Sequence, residues 1–195
     1  MSRAAIRAVA IGASAGGGRL LETILSRLPE GFAPSLLVVL HVHPDQDGFF
    51  VVHYDRLCPL PVQEGRDKEP VLPGRVYFAP PGYHLLVERT RTFSLSSDEK
   101  VNYARPSIDV LFESAAETYG EGLLGIVLSG ANSDGAKGLL RIKELGGRTV
   151  VQDPAGAEHP TMPRAALELA EPELVLDVDG ICDLLGTLSG DGPAD

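Results

Sequence analysis

The sequence predicts an α/β fold: a doubly wound, mostly parallel sheet with helices on both faces and a β-hairpin excursion. Three observations predict it. Short apolar runs alternate with helical patterns along the chain. The run at 35–42 is almost continuously apolar, as expected of a strand covered on both faces. Between 59 and 97 the alternation breaks into Leu72-Pro73-Gly74, Pro80-Pro81-Gly82 and short strand-like pieces. That is the pattern of strands and a hairpin rather than another helix crossover.

The elements follow in order. A buried strand is expected at 6–11, a turn at 12–18 and an amphipathic helix at 19–28. The second strand is 35–42, and 48–57 reads as a helix. Strand pieces at 75–79, 84–88 and 92–95 precede a helix at 106–119, with Pro106 near its start. A strand at 122–128, a helix at 134–145 and a strand at 148–152 come next. Segments at 163–169, 174–176 and 181–188 complete the pattern. One domain is expected over 1–188, with 189–195 as a polar tail.

Composition excludes several classes. The formal net charge of -10 argues against a general nucleic-acid binder. No apolar run is long enough to span a bilayer, so no membrane insertion is expected, and the N-terminus does not read as a signal peptide. Cys58 and Cys182 lie far apart and form no CxxC, which fits free thiols in a reducing, cytoplasmic setting.

In a doubly wound sheet, sites form at the carboxyl ends of strands. Three such ends carry chemistry. The first, Gly12-Ala13-Ser14-Ala15-Gly16-Gly17, contains G-x-S-x-G, the spacing of a nucleophile elbow. Small neighbours allow a sharp turn and substrate approach, and the following helix aims free N–H groups at the hydroxyl. A phosphate-cradling glycine turn is the rival reading. A dinucleotide site, however, wants an acid after the second strand, and His41-Val42-His43 stands there.

That second end, His41-Val42-His43-Pro44-Asp45, offers a general base to a serine on the neighbouring strand, with His41 the better placed. The H-x-H-x-D spacing also admits a metallohydrolase site of His41, His43 and Asp45, but Gln46 follows where such motifs continue with histidine. The third end is Leu128-Ser129-Gly130-Ala131-Asn132-Ser133-Asp134-Gly135-Ala136. Asp134 there is either the N-cap of the next helix or the acid of a triad. Ser14, His41 and Asp134 thus sit on different strand ends of one sheet. Their chain order, Ser-His-Asp, is not that of an α/β-hydrolase.

These three motifs resemble those of CheB-type protein-glutamate methylesterases, in their catalytic domain. The likeness runs from Ala8 to about Leu185 and includes Gly74–Leu85, Arg105–Phe112, Gly146–Asp153 and Met162–Ala166. The family's usual N-terminal receiver domain has no counterpart in these residues, so an excised catalytic domain or a stand-alone protein is expected. The resemblance implies a serine hydrolase that cleaves glutamyl methyl esters on methyl-accepting chemoreceptors to glutamate and methanol, and that deamidates receptor glutamine. It implies Ser14, His41 and Asp134 as the triad, with no cofactor and no metal. Ala15, Gly16 and Gly17 are expected at the oxyanion, with Arg105 and Met162 toward the substrate. Three positions depart from the family pattern: Ala15, Ala104 and the Ala131-Asn132 pair. A binding module that keeps the fold without the chemistry is the non-enzymatic alternative.

Overall fold

A computed structural model describes residues 4–41 and 49–188 of the 195. Its elements are β1 (Ala8–Ala13), α1 (Gly17–Ser26), β2 (Ser35–Leu40), α2 (Phe49–Leu57), β3 (Val62–Glu64), β4 (Val76–Phe78), β5 (His84–Val87), β6 (Phe93–Ser96) and α3 (Ile108–Tyr119). They continue with β7 (Leu123–Val127), α4 (Ala136–Glu144), β8 (Arg148–Gln152), α5 (Thr161–Ala170), β9 (Leu174–Leu176) and α6 (Val178–Gly186). The predicted tail at 189–195 and the residues His43 and Asp45 lie outside the described residues.

Seven strands form one sheet in the order β3-β4-β2-β1-β7-β8-β9, every pairing parallel. β5 and β6 form the separate antiparallel hairpin that the proline-rich stretch predicts. The α/β expectation therefore holds. One strand escaped the sequence reading: β3 is only three residues long and shows no alternation that a pattern search can find.

The sheet is wound in both directions from β1. β2 lies on one side of it and β7 on the other, although the two are far apart in sequence. The crevice between β1 and β7 is thus the switch point where such sheets bind ligands. Register brings the strand ends level: Ala13 pairs with Leu40, and Gly12 with both Val39 and Val127.

Alternation along β1 splits the core. Val9, Ile11 and Ala13 pack with Leu21 and Leu25 of α1, Tyr54 of α2, and Ile181 and Leu185 of α6. Ala8 and Ala10 face the opposite layer, with Ile108 and Phe112 of α3, Leu139 of α4 and Ala166 of α5. The hairpin joins this second layer through Leu85, Val87 and Phe93, and the Phe93 ring meets Tyr77 edge-on at 4.8 Å between centroids.

Gly12 decides how closely α3 approaches the sheet. A Cβ there would lie 2.3 Å from Ile108 Cγ2, a separation that requires the Ile108 side chain or α3 itself to shift. Gly12→Ala is therefore expected to destabilise the fold by about 1–3 kcal/mol, read as a lowered urea midpoint with an unchanged slope.

Candidate active site

β1 ends at Ala13, and Ser14 starts the turn into α1. The turn is held by the neighbouring strand end. Ser14 N donates to Ser129 O (3.0 Å), and Ser129 Oγ donates to Ala15 O (2.9 Å) while accepting from His159 N (2.9 Å). Gly17 N donates back to Ser14 O (2.8 Å). Gly16 adopts φ 76°, and a Cβ there would press on Glu158 Cβ at 2.9 Å and Ser129 Oγ at 3.0 Å, so both conformation and space require glycine.

These contacts correct one expectation. Gly17 N is occupied in closing the turn and cannot also serve an oxyanion. Among the described residues, no hydrogen-bond partner engages the N–H of Ala15 or Gly16, and both lie at the N-terminus of α1 where such groups are free to bind a negative charge.

His41 follows β2, its backbone N donating to Ala13 O (3.0 Å). Its ring Nε2 meets Asp134 Oδ2 at 2.9 Å, with the histidine 13% exposed and the aspartate fully buried. Because the carboxylate only accepts, the proton of a neutral His41 belongs on Nε2 and the lone pair on Nδ1. Nδ1 is 3.5 Å from Asn132 Nδ2.

Asp134 is not the N-cap of α4. That position is Gly135, at φ 94°. Asp134 instead caps the neighbouring helix. Its Oδ2 accepts from Ile108 N (2.6 Å) as well as from His41. Its Oδ1 accepts from Ser107 Oγ (2.8 Å), Asn102 Nδ2 (3.0 Å) and Asp109 N (3.1 Å). Burial pushes the Asp134 carboxyl up, yet the hydrogen bonds from His41, Asn102, Ile108 N and Asp109 N together outweigh it and hold the group below its ordinary value. It stays a carboxylate and keeps the His41 ring oriented.

A second acid supports the first. Asp109 Oδ1 accepts from Gly135 N (2.9 Å) and Gly138 N (2.7 Å), and Oδ2 accepts from Asn102 Nδ2 (2.8 Å). Burial raises its carboxyl above the usual value; the Gly138 N–H opposes that rise and the charge of Asp134 adds to it. Asn102, itself at φ 50° in a tight turn, thus bridges two buried acids with one amide group.

Ser14, His41 and Asn132 open onto one cleft of about 530 Å³, whose far wall is Pro81, Gly82 and the stretch from Lys100 to Pro106. Among the described residues, nothing hydrogen-bonds Ser14 Oγ, which leaves it free to react; such contacts often form only with substrate in place. Arg105 lines this cleft, but its Nη1 donates to Ser97 O (2.7 Å) and Asp98 O (2.9 Å), so it holds the wall together. Met162 was expected toward the substrate and is not there. It is fully buried beneath Gly130, where a Cβ would lie 2.4 Å from its Cε, and it packs in the α5 layer. Sequence reasoning missed Asn102, Ser107 and Asp109, because their contacts with Asp134 span 25 to 32 residues. Tyr103, 97% exposed on the rim at φ 62°, was missed as well.

No group of three or more His, Cys, Asp or Glu that could hold a metal ion occurs among the described residues. His41 commits its Nε2 to Asp134.

A sheet wound from β1, with a serine, a histidine and an acid on adjacent strand ends, is the framework of an ester-hydrolase domain. The chain belongs to the CheB methylesterase family, whose model it matches over residues 9–185. It is 48% identical over 177 residues to a Leptospira interrogans protein provisionally named protein-glutamate methylesterase/protein-glutamine glutaminase, covering 91% of this chain and 92% of that one. A Symbiobacterium thermophilum protein-glutamate methylesterase/protein-glutamine glutaminase is 37% identical over 186 residues, 95% of this chain and 51% of that protein. The chain therefore spans about half the length of relatives of that kind. The crystal structure of the Thermotoga maritima CheB methylesterase catalytic domain superposes with a TM-score of 0.89 at 32% identity, covering 95% of this chain and all of that one.

The depressed Asp134 value sets a pH dependence. Its contribution to stability is complete above the unfolded carboxyl value of about 3.9 and is lost as pH falls through the lower folded value. The stability gap between the wild type and Asp134→Asn is expected to narrow below about pH 4, measured by urea unfolding at a series of pH values.

Proposed function

We propose that this chain is a serine-dependent protein-glutamate methylesterase acting on methyl-accepting chemoreceptors, with Ser14 as nucleophile, His41 as base and Asp134 as the orienting acid. The observation that carries the reading is the buried, five-fold hydrogen-bonded Asp134 holding His41 on the cleft that Ser14 also lines.

The mechanism follows from the tautomer. Ser14 Oγ attacks the ester carbonyl carbon while its proton passes to His41 Nδ1, the nitrogen that Asp134 leaves unprotonated. The imidazolium faces the Asp134 carboxylate, which stabilises its charge. Collapse of the tetrahedral intermediate breaks the bond to the methoxy oxygen, which takes the proton from Nδ1 and leaves as methanol. Water then attacks the acyl-enzyme, again giving its proton to Nδ1. Its collapse returns the proton to Ser14 Oγ and frees the glutamate side chain. With a glutamine substrate, ammonia replaces methanol as the leaving group, and the residues act in the same order. The N–H groups of Ala15 and Gly16, at the start of α1, are the proposed donors to the oxyanion.

The proposed partner is a receptor helix presenting a methylated glutamate. Lys100 and Arg105 give the cleft wall a positive cast within a chain of net charge -10, which suits the acidic product surface of such a helix. A cytoplasmic setting is consistent with the two free, buried cysteines, Cys58 and Cys182. No helix of the described residues is long and apolar enough to cross a membrane.

A fluorophosphonate probe is expected to label the wild type at Ser14, located by peptide mapping, and to leave Ser14→Ala unlabelled with an unchanged unfolding midpoint. The same substitution is expected to abolish methanol release from a methylated receptor fragment. Labelling elsewhere, or turnover by Ser14→Ala at the wild-type rate, would refute the assignment.

A further inference from the structure

Asn132 stands where the family motif carries glycine, and its side chain has a defined direction. Its Oδ1 accepts from Asp134 N at 3.0 Å, so the amide cannot be flipped without losing that bond. Its NH2 group consequently points into the cleft, where Nδ2 lies 3.5 Å from His41 Nδ1. Ser14, His41 and Asn132 line the same space.

The geometry points to Asn132 as a side-chain donor to the oxyanion; the inference rests on Ser14 being the nucleophile. Among the described residues, Asn132 Nδ2 has one long contact, to the lone pair of His41 Nδ1. Once Nδ1 takes the Ser14 proton it becomes a donor, and two N–H groups then face each other. Asn132, still tethered through Oδ1 to Asp134 N, loses the one acceptor it has among the described residues at the moment a negative oxygen develops on the carbon bonded to Ser14 Oγ. The displaced N–H and the new charge are thus generated by the same proton transfer. Donors prearranged on that oxygen act where charge develops rather than on the ground-state ester, so Asn132 bears on the rate of the chemical step more than on substrate affinity. It complements the Ala15 and Gly16 N–H groups from the other side of the crevice, since those two lie in the turn after β1 and Asn132 in the turn after β7.

Two variants test this. Asn132→Asp keeps the Oδ1 acceptor for Asp134 N but replaces the donor with an acceptor. Asn132→Gly removes the side chain. The readout is the second-order rate of fluorophosphonate labelling, whose phosphoryl oxygen occupies the oxyanion position, alongside the thermal midpoint of each protein. Both variants are expected to label about 100- to 1000-fold more slowly, and Asn132→Asp is expected to keep its midpoint. Labelling of Asn132→Gly at the wild-type rate or faster overturns the inference, since the side chain then only occupies Nδ1. A loss in both variants that tracks a fall in folded fraction overturns it too. Absence of Ser14 labelling in the wild type would instead remove the nucleophile assignment itself, and the inference with it.

Discussion

The structure depends on one buried carboxylate. Asp134 accepts five hydrogen bonds, two from the first backbone N–H groups of α3, two from Ser107 and Asn102, and one from His41. A charge without exposure to water is tolerable only with such satisfaction. The helix end gains the acceptor that its free N–H groups require, and α3 is thereby locked against the β7–α4 turn. The same atoms that cap a helix hold a histidine ring in one tautomer.

From there the site assembles along the switch point of the sheet. Parallel register levels the ends of β2, β1 and β7. Ser129 reaches across the crevice and ties the Ser14 turn to the third strand end through Ser14 N and Ala15 O. Gly12 lets α3 come close enough for Ile108 N to reach Asp134. Each device is a short-range steric or hydrogen-bonding fact, and their sum is a cleft that Ser14 and His41 both line.

Much of this was legible in the chain. The glycine-flanked Ser14, the histidine at the end of an apolar run and the acid after β7 mark three strand ends, and periodicity makes the sheet parallel. What was not legible is which partners those residues choose. Asp134 reads locally as a cap for the helix that follows it, whereas the helix it caps begins at Ile108, 26 residues earlier. Met162 lies in a block shared with the family, but shared sequence does not say which way a side chain faces, and this one faces the core. Gly17 carries a free-looking N–H that a turn consumes. Asn132 stood out as a departure from the family pattern, yet its tether to Asp134 N, which gives it a direction, is visible only in three dimensions.

The double employment of Asp134 bears on how such a domain could lose its chemistry over evolutionary time. Ser14 has no packing duty that a methyl group would not fulfil, so drift can remove it at little cost to folding. Asp134 is anchored by the scaffold's own needs and would persist in a descendant that had ceased to hydrolyse anything. In sequences of this type the acid is therefore a marker of ancestry, and under the proposed mechanism the serine is the marker of living activity.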